Sequence, residues 1–167
     1  MRWSRCCNIF GGDPITFYFI ALVVFILDQS SKYATRAYAE IGETFSLWGI
    51  EFTRIENSGM AGGMFEGYAR LFGIVAVLFV IAVLYYRKTG QMKGAMMDCS
   101  FGLLVGGAVG NGVDRLIYGQ VTDFIVRSGG VLNIADHAIE AGLILLIIYA
   151  VVNWLRNMRI RKSTKAE

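Results

Sequence analysis

The stretch Gly102–Arg115, G-L-L-V-G-G-A-V-G-N-G-V-D-R, joins an apolar helix to a polar end. Its glycines recur at every fourth residue, at positions 102, 106 and 110. In lipid this spacing lets helix backbones approach each other closely. We therefore expect a tightly packed helix that holds Asn111 and Asp114 rigidly against a neighbouring helix. Rigid elements are where functional side chains are best placed.

The rest of the chain has the composition of a small helical membrane protein. Of its 167 residues 55% are hydrophobic, its mean hydropathy is +0.50, and it has a single proline. A soluble domain of this size rarely shows that balance. Since a spanning helix needs roughly 20 residues, each apolar stretch must include some polar flank to cross a bilayer. These stretches are Ile15–Leu27, Leu71–Tyr86, Gly94–Gly110 and Ala138–Leu155. The sequence predicts an all-α membrane protein in which residues 1–167 form one integral-membrane domain with four transmembrane helices.

The first apolar stretch has two readings, a cleaved signal peptide or a retained helix. Asp28-Gln29-Ser30-Ser31 follows it directly, without the small-residue pattern of a cleavage site. We therefore expect a retained helix.

The distribution of Lys and Arg predicts the orientation. Ten of the sixteen basic residues lie in residues 1–14, the 87–93 loop and the C-terminal tail. The positive-inside rule places these segments in the cytoplasm, with residues 35–69 and 111–136 outside. Because the net charge of +3 comes largely from these flanks, we expect anionic membrane lipid as a partner, and no nucleic acid. No cysteine lies in an outer segment, so no disulfide framework is expected.

Short strands are expected in the outer segments. Residues 44–56 are rich in aromatic and β-branched types, and Trp48-Gly49 could turn the chain, which predicts a small extracytoplasmic β-hairpin on the membrane surface. The glycine-rich loop Asn57–Gly63 follows it. Gln120–Val126 is typical of a further strand, and residues 127–130 of a turn.

Placing an ionisable group at membrane depth costs free energy, so each such group is expected to have a structural or functional role. Asp28 and Lys32 have the i,i+4 spacing of a helix ion pair, and we favour a structural role for them. Asn133 and Asp136 have the spacing of a capping box that opens the last helix, which is compatible with catalysis by Asp136. Asp123 lies among apolar neighbours in a predicted strand, where Asp is disfavoured.

Several other chemistries are excluded by the residue inventory. His137 is the only histidine, so a multi-histidine metal site cannot form. The chain has no G-x-S-x-G elbow and no Walker-type or dinucleotide fingerprint. We expect neither a metal nor a cofactor.

Five motifs, taken in order, resemble bacterial lipoprotein signal peptidase, also called signal peptidase II. They run from Asp28 to about Ile139 and read D-Q-x-x-K, N-S-G-M-A-G-G, G-G-A-V-G-N-G-V-D-R, V-T-D-F-I and L-N-I-A-D. The resemblance implies an intramembrane aspartyl endopeptidase with four helices and a small extracytoplasmic cradle. It also implies the bacterial inner membrane, with both termini cytoplasmic and the active site at the outer side. We expect a monomer.

The same resemblance implies a role for each matching residue. Asp123 and Asp136 match the catalytic aspartates, and Asp28 and Lys32 match a pair that supports the fold. The positions that match polar residues around the substrate and inhibitor site are Asn57, Asn111, Asp114, Arg115 and Asn133. The chain departs from the family pattern at Leu132, where Phe is usual, and at His137, where a small residue is common.

The implied substrates are prolipoproteins whose lipobox cysteine already carries diacylglycerol. Two carboxylates that share a proton could activate a water and polarise the scissile carbonyl. Arg115 could hold Asp114 or a substrate carbonyl, or both in turn.

Two rival functional classes are a proton-coupled transporter and a non-enzymatic membrane scaffold. The transporter is considered because intramembrane acids also mark ion paths. Against the transporter, the acids are expected at one level of the membrane, and no inverted repeat is visible. The scaffold leaves Asp123 and Asp136 without a role.

Overall fold

A computed structural model describes residues 14–59, 64–90 and 92–164 of the chain. The elements follow one another in the order α1 (Pro14–Tyr38), β1 (Thr44–Leu47), β2 (Ile50–Asn57), α2 (Ala69–Lys88), α3 (Ala95–Ile117), β3 (Val121–Arg127), β4 (Gly130–Leu132) and α4 (Ile134–Thr164). Residues 60–63 of the predicted glycine-rich loop and the basic residues Arg2, Arg5 and Lys165 lie outside the described residues.

Within that part of the chain, three helices are long and apolar enough to cross a membrane. They are Ile15–Tyr38, Ala69–Lys88 and Ile134–Arg159. The fourth predicted spanning helix, α3, is not among them, so that expectation is not confirmed. The reason lies in its composition, because α3 carries several glycines as well as Asp98, Asn111 and Asp114. This helix packs against α1, α2 and α4, so much of its surface meets protein rather than lipid.

The glycines of α3 allow that packing, as their spacing predicts. A Cβ atom on Gly106 would lie 2.7 Å from the backbone oxygen of Ala21 on α1. A Cβ atom on the next residue, Gly107, would lie 2.5 Å from the backbone oxygen of Ala135 on α4. Real Cβ contacts are not that short, so α3 touches two neighbours through bare backbone. Close helix approach of this kind is the usual role of small residues in membrane bundles.

The strands form one antiparallel sheet with the order β1-β2-β3-β4. The predicted hairpin is confirmed: Trp48 and Gly49 form the turn between β1 and β2, with φ of 52° and 80°. Positive φ at both central residues suits a two-residue hairpin turn. The predicted strand and turn in the second outer segment are also present, as β3 and the turn before β4. Strand β4 and the joining of both hairpins into one sheet were not predicted from the sequence.

The pairing of β2 with β3 contains a register shift. Phe52 pairs with Ile125 and Ile55 pairs with Asp123, so β2 has one extra residue between these pairs. A bulge of this kind bends the strand and redirects nearby side chains. One of the redirected residues is Arg54, whose Nη1 donates to the backbone oxygens of Arg36 (3.1 Å) and Ala39 (3.0 Å). The sheet is thereby attached to the last turn of α1.

A buried group of charges holds α1, α3 and α4 together. The ammonium of Lys32 lies 2.7 Å from Asp28 Oδ2 and 2.9 Å from Asp114 Oδ2, and all three side chains have no exposed surface. Nη2 of Arg36 lies 2.9 Å from Asp114 Oδ1. The backbone N–H of Ala135, in the first turn of α4, donates to Asp28 Oδ1 at 2.9 Å. The predicted Asp28–Lys32 pair is therefore present, and it belongs to a larger cluster, the charge cluster, of Asp28, Lys32, Arg36 and Asp114.

A second buried ion pair lies at the opposite end of the bundle. Arg87, near the end of α2, pairs with Asp98 in the first turn of α3. The Arg87 guanidinium also lies 4.4 Å from the centre of the Phe17 ring on α1. This contact joins three helices at the end remote from the charge cluster.

The charge cluster predicts unequal costs for its members. Lys32→Met leaves two buried carboxylates without their shared partner, and we expect it to lower the free energy of unfolding by about 3–5 kcal/mol. Asp28→Asn should cost clearly less, because its amide oxygen can still accept the Ala135 N–H and Lys32 keeps Asp114. Thermal unfolding of both variants in one detergent measures the difference.

The control is Arg127→Gln, which removes a half-exposed ion pair with Glu140 and should change the melting temperature little. Equal losses for Lys32→Met and Asp28→Asn would contradict the shared role of Lys32.

Candidate active site

Asn133 and Asp136 form the capping box that the sequence predicts at the start of α4. The backbone N–H of Asp136 donates to Asn133 Oδ1 at 3.0 Å, and the backbone N–H of Asn133 donates to Asp136 Oδ2 at 3.2 Å. The two bonds satisfy backbone donors that a helix start otherwise leaves unpaired. They also fix the Asp136 carboxylate at the helix N-terminus, where negative charge is favoured.

Asp123 lies on β3 and is nearly buried, with 3% of its surface exposed. Two side-chain amides donate to its carboxylate: Asn57 Nδ2 to Oδ2 at 3.0 Å, and Asn133 Nδ2 to Oδ1 at 2.6 Å. The Asn57 amide is oriented in turn by Gly59, whose backbone N–H donates to Asn57 Oδ1 at 2.9 Å. The strand thus presents a carboxylate whose two oxygens both have a defined donor.

Asn111 on α3 completes a connection between the two carboxylates. Its Nδ2 donates to Asp136 Oδ1 at 2.8 Å, while its Oδ1 accepts from Lys32 Nζ at 2.8 Å and from Asn133 Nδ2 at 3.1 Å. Because an ammonium can only donate, Lys32 determines which end of the Asn111 amide faces Asp136. Asp123 and Asp136 are therefore linked through two amides, those of Asn133 and Asn111, whose orientation is fixed by other partners.

The surroundings of Asp123 favour its protonated form. The pKa of Asp123 is raised to about 6, and burial is the main cause. The negative charge of Asp136 also raises this pKa, whereas the hydrogen bonds from Asn57 and Asn133 lower it and offset part of the effect. Two nearby carboxyl groups held in one poorly solvated site tend to share a proton in this way.

Arg115 lies beside this site but does not hold Asp114. Its Nη2 donates to the backbone oxygen of Gly59 at 3.3 Å, and its guanidinium lies 5.9 Å from the centre of the Phe72 ring. Within the described part of the chain, its buried Nε has no hydrogen-bond partner. Asp114 pairs with Lys32 and Arg36 instead.

Eight of the nine site residues predicted from the sequence therefore fall into two groups, and Arg115 is the ninth. Five of them form one hydrogen-bonded group, namely Asn57, Asn111, Asp123, Asn133 and Asp136. Asp28, Lys32 and Asp114 lie in the charge cluster, which contacts this group through the bond from Lys32 to Asn111. The side chain of His137 contacts its own helix, with Nδ1 2.8 Å from the backbone oxygen of Asn133.

Two residues that contact Asp114 were missed by sequence reasoning, Arg36 and Gln29. Gln29 Nε2 donates to the Gly110 backbone oxygen at 3.1 Å and lies 3.4 Å from Asp114 Oδ1. Arg36 is four residues after Lys32 and eight after Asp28, so all three share one face of α1. That spacing was the available signal for Arg36.

Comparison with known proteins identifies the family. The model of the family described as signal peptidase (SPase) II matches residues 20–152. A lipoprotein signal peptidase of Geobacillus kaustophilus is 34% identical over 142 residues, covering 81% of this chain and 92% of the relative. One from Gloeobacter violaceus is 36% identical over 137 residues, covering 79% of both chains.

Two solved structures have a similar fold. Both are described as bacterial membrane enzyme structures obtained by the in meso method, at 2.3 Å and 1.9 Å resolution. The first has a TM-score of 0.80 and 30% sequence identity, and the match covers 86% of this chain and 92% of the other. The second has a TM-score of 0.75 and 31% identity, with 84% and 96% covered. This chain therefore belongs to the signal peptidase II family and is a protease.

Proposed function

We propose that this protease is an intramembrane aspartyl endopeptidase that removes signal peptides from prolipoproteins. In this proposal Asp123 and Asp136 are the catalytic residues. The observation that carries it is the linkage of these two carboxylates, from β3 and from the start of α4, through the amides of Asn133 and Asn111. A rigid pair of carboxyl groups in a poorly solvated site is what aspartyl chemistry requires.

The proton of the pair is assigned to Asp123 in this proposal. Asp123 is nearly buried, and its pKa is raised to about 6 by burial and then by the charge of Asp136. Asp136 accepts a backbone N–H at a helix N-terminus and an amide N–H from Asn111, and negative charge is favoured at that end of a helix. We therefore assign the role of acid to Asp123 and the role of base to Asp136.

The chemistry then proceeds without a covalent enzyme intermediate. Asp136 takes a proton from a water molecule as the water oxygen attacks the scissile carbonyl carbon, and Asp123 gives its proton to the carbonyl oxygen. In the second step the carbon–nitrogen bond breaks, the nitrogen receives the proton held by Asp136, and Asp123 regains its own from the tetrahedral hydroxyl. Water is consumed, and both carboxyl groups return to their starting states.

The neighbouring polar groups have supporting roles in this scheme. The amides of Asn57, Asn111 and Asn133 hold the carboxyl groups at fixed positions, which limits the reorganisation needed during reaction. The buried Nε–H of Arg115 can donate a hydrogen bond to a substrate carbonyl, and the bond from Arg115 Nη2 to the Gly59 backbone oxygen holds the start of the 57–63 loop. Asp114 contributes through the charge cluster rather than by contact with substrate.

The proposed substrates are precursors whose lipobox cysteine carries diacylglycerol, cleaved just before that cysteine. The curated relatives are named lipoprotein signal peptidases, and three helices of this chain expose long apolar surfaces. Such a substrate already has its signal helix and acyl chains in the bilayer, so lateral entry suits it. We propose the bacterial inner membrane as the location, with cytoplasmic termini and the site at the outer side, and a monomeric enzyme.

Removing either acidic function should abolish cleavage. We expect Asp123→Asn and Asp136→Asn each to lose at least about 1,000-fold in kcat with normal insertion and purification, because an amide can neither give nor take the required proton. The measurement is cleavage of a lipidated precursor in detergent without added metal. Glu140→Gln is the matched control, since Glu140 is a half-exposed acid one turn further along α4, and it should keep full activity. Substantial turnover by either aspartate variant rejects the mechanism.

The proton on Asp123 predicts a decline of activity towards alkaline pH. A raised carboxyl pKa means that the acid is protonated below about pH 6 and loses its proton as the pH rises through that value. We therefore expect kcat/KM to fall between about pH 6 and about pH 8, provided that melting temperatures show the enzyme folded throughout. A rate that rises through this interval would show that Asp123 must be ionised, and would reverse the assignment.

Lipidation of the substrate should decide whether it is cleaved. We expect a precursor with diacylglyceryl on its lipobox cysteine to be cleaved far faster than the unmodified precursor. Burial of the acyl chains, at roughly 0.8 kcal/mol per CH₂, anchors and orients the scissile bond at the bilayer edge. A side-by-side gel assay compares the two precursors. Equal cleavage rates would mean that the enzyme recognises only the peptide and not the diacylglyceryl group.

A further inference from the structure

Two arginine side chains connect the last turns of α1 to the strand that carries Asp123. Arg36 reaches β3 through Thr122, with Nε donating to Thr122 Oγ1 at 2.7 Å. Arg54, at the bulge of β2, donates from Nη1 to the backbone oxygen of Arg36 at 3.1 Å. The side chain and the backbone of Arg36 are therefore both bound to the sheet.

Thr122 is the residue on which these contacts converge. It has no exposed surface and immediately precedes Asp123. Its hydroxyl accepts from Arg36 and donates to Oε2 of Glu56, its cross-strand partner, at 3.0 Å. Oε1 of Glu56 accepts in turn from Nε of Arg54 at 2.9 Å. The result is a closed ring of contacts, which we call the arginine ring, formed by Arg36, Thr122, Glu56 and Arg54.

The same guanidinium also contacts the charge cluster. Nη2 of Arg36 donates to Asp114 Oδ1 at 2.9 Å while Nε is bound to Thr122, and the Tyr118 ring covers the group with its centre 4.5 Å away. A planar guanidinium holds these two donors in a fixed relation, which a lysine ammonium cannot do. Arg36 is thus a rigid connection between Asp114 on α3 and Thr122 on β3.

We propose that Arg36 is a positioning residue for the proteolytic reaction, because it fixes β3 and hence the Asp123 carboxylate relative to Asp136. The inference rests on the proposed function. Successive residues of a strand are only about 3.3 Å apart, so immobilising Thr122 leaves Asp123 little freedom along the strand. Asp136 is held from the other side, through Asn111 and Lys32. Asp123 and Asp136 are therefore both held in position by contacts with the charge cluster.

A purely structural role for Arg36 makes different predictions. If Arg36 only balanced the charge of Asp114, any cation at this position would serve and Thr122 would be dispensable. If it positions β3, the bond to Thr122 matters separately from the charge. Thr122→Val tests that bond, because it removes the hydroxyl, and with it the contacts to Arg36 and Glu56, with nearly the same side-chain shape and leaves every charge of the cluster in place.

The test is steady-state cleavage of a diacylglyceryl-modified precursor by Thr122→Val, Arg36→Gln and the double variant, with melting temperatures in the same detergent. We expect each single variant to lose about 10- to 100-fold in kcat with KM within about two-fold, since a misplacement near 1 Å costs that much. The loss of kcat in the double variant should be smaller than the product of the two single losses, because the Arg36–Thr122 contact is already removed in each single variant. Arg127→Gln removes an arginine from the same strand outside the arginine ring and should have unchanged kcat.

Arg36→Lys separates positioning from charge. The lysine keeps a cation for Asp114, so the melting temperature should stay close to that of the wild type, whereas kcat should remain about 10-fold or more below it. If Arg36→Gln fails to fold, Thr122→Val still tests the claim, since it leaves the four charges of the cluster intact.

The outcomes distinguish this inference from the proposed function. Normal kcat in Thr122→Val, full recovery of kcat in Arg36→Lys, or additive losses in the double variant would each overturn the positioning role while Asp123→Asn remained inactive. A wild-type chain that cleaves no lipidated precursor, or an active Asp123→Asn variant, would overturn the proposed function and this inference with it.

Discussion

The structure depends on one buried ammonium group, that of Lys32. This ammonium forms ion pairs with Asp28 and Asp114, which belong to the charge cluster, and it donates a hydrogen bond to the amide oxygen of Asn111. Asp28 in turn accepts from the first turn of α4. A buried charge is costly unless every partner is present. Lys32 therefore determines how α1, α3 and α4 meet, and the glycines of α3 allow the close approach that brings its partners within reach.

The same group orders the site above it. Because Lys32 can only donate, it turns the Asn111 amide so that its N–H faces Asp136. Asn133 is turned by the backbone N–H of Asp136, and Asn57 by that of Gly59, so that both donate to Asp123. Each amide has one end bound to a fixed partner and presents the other to a carboxylate. The geometry of the two carboxylates thus follows from the packing of the bundle.

Local patterns in the sequence were sufficient to predict the local features. The capping box of Asn133 and Asp136, the Asp28–Lys32 pair, the glycine face of α3 and the Trp48-Gly49 hairpin depend on neighbours within a few residues, and each is present. Features that depend on tertiary contact were not predicted. The joined sheet, the bulge that directs Arg54 and the Thr122–Glu56 contact bring together residues whose sequence spacing carries no signal. For Arg36 the available signal was its place on the same face of α1 as Asp28 and Lys32. The fourth spanning helix, predicted at α3, is not confirmed, since glycines and buried polar residues make up much of this helix.

The central claim, that Asp123 and Asp136 form a coupled pair, is tested most directly by measuring the protonation of Asp123. Carboxyl-specific NMR of the enzyme labelled with ¹³C at aspartate, with Asp123→Asn used to assign the resonance, follows Asp123 through a pH titration. Asp123 should titrate near pH 6, because burial and the charge of Asp136 raise its pKa. The pKa of Asp123 should be lower in the Asp136→Asn variant, where that charge is gone. An Asp123 that titrates near the ordinary value of about 4 and does not respond to Asp136→Asn would contradict a coupled pair.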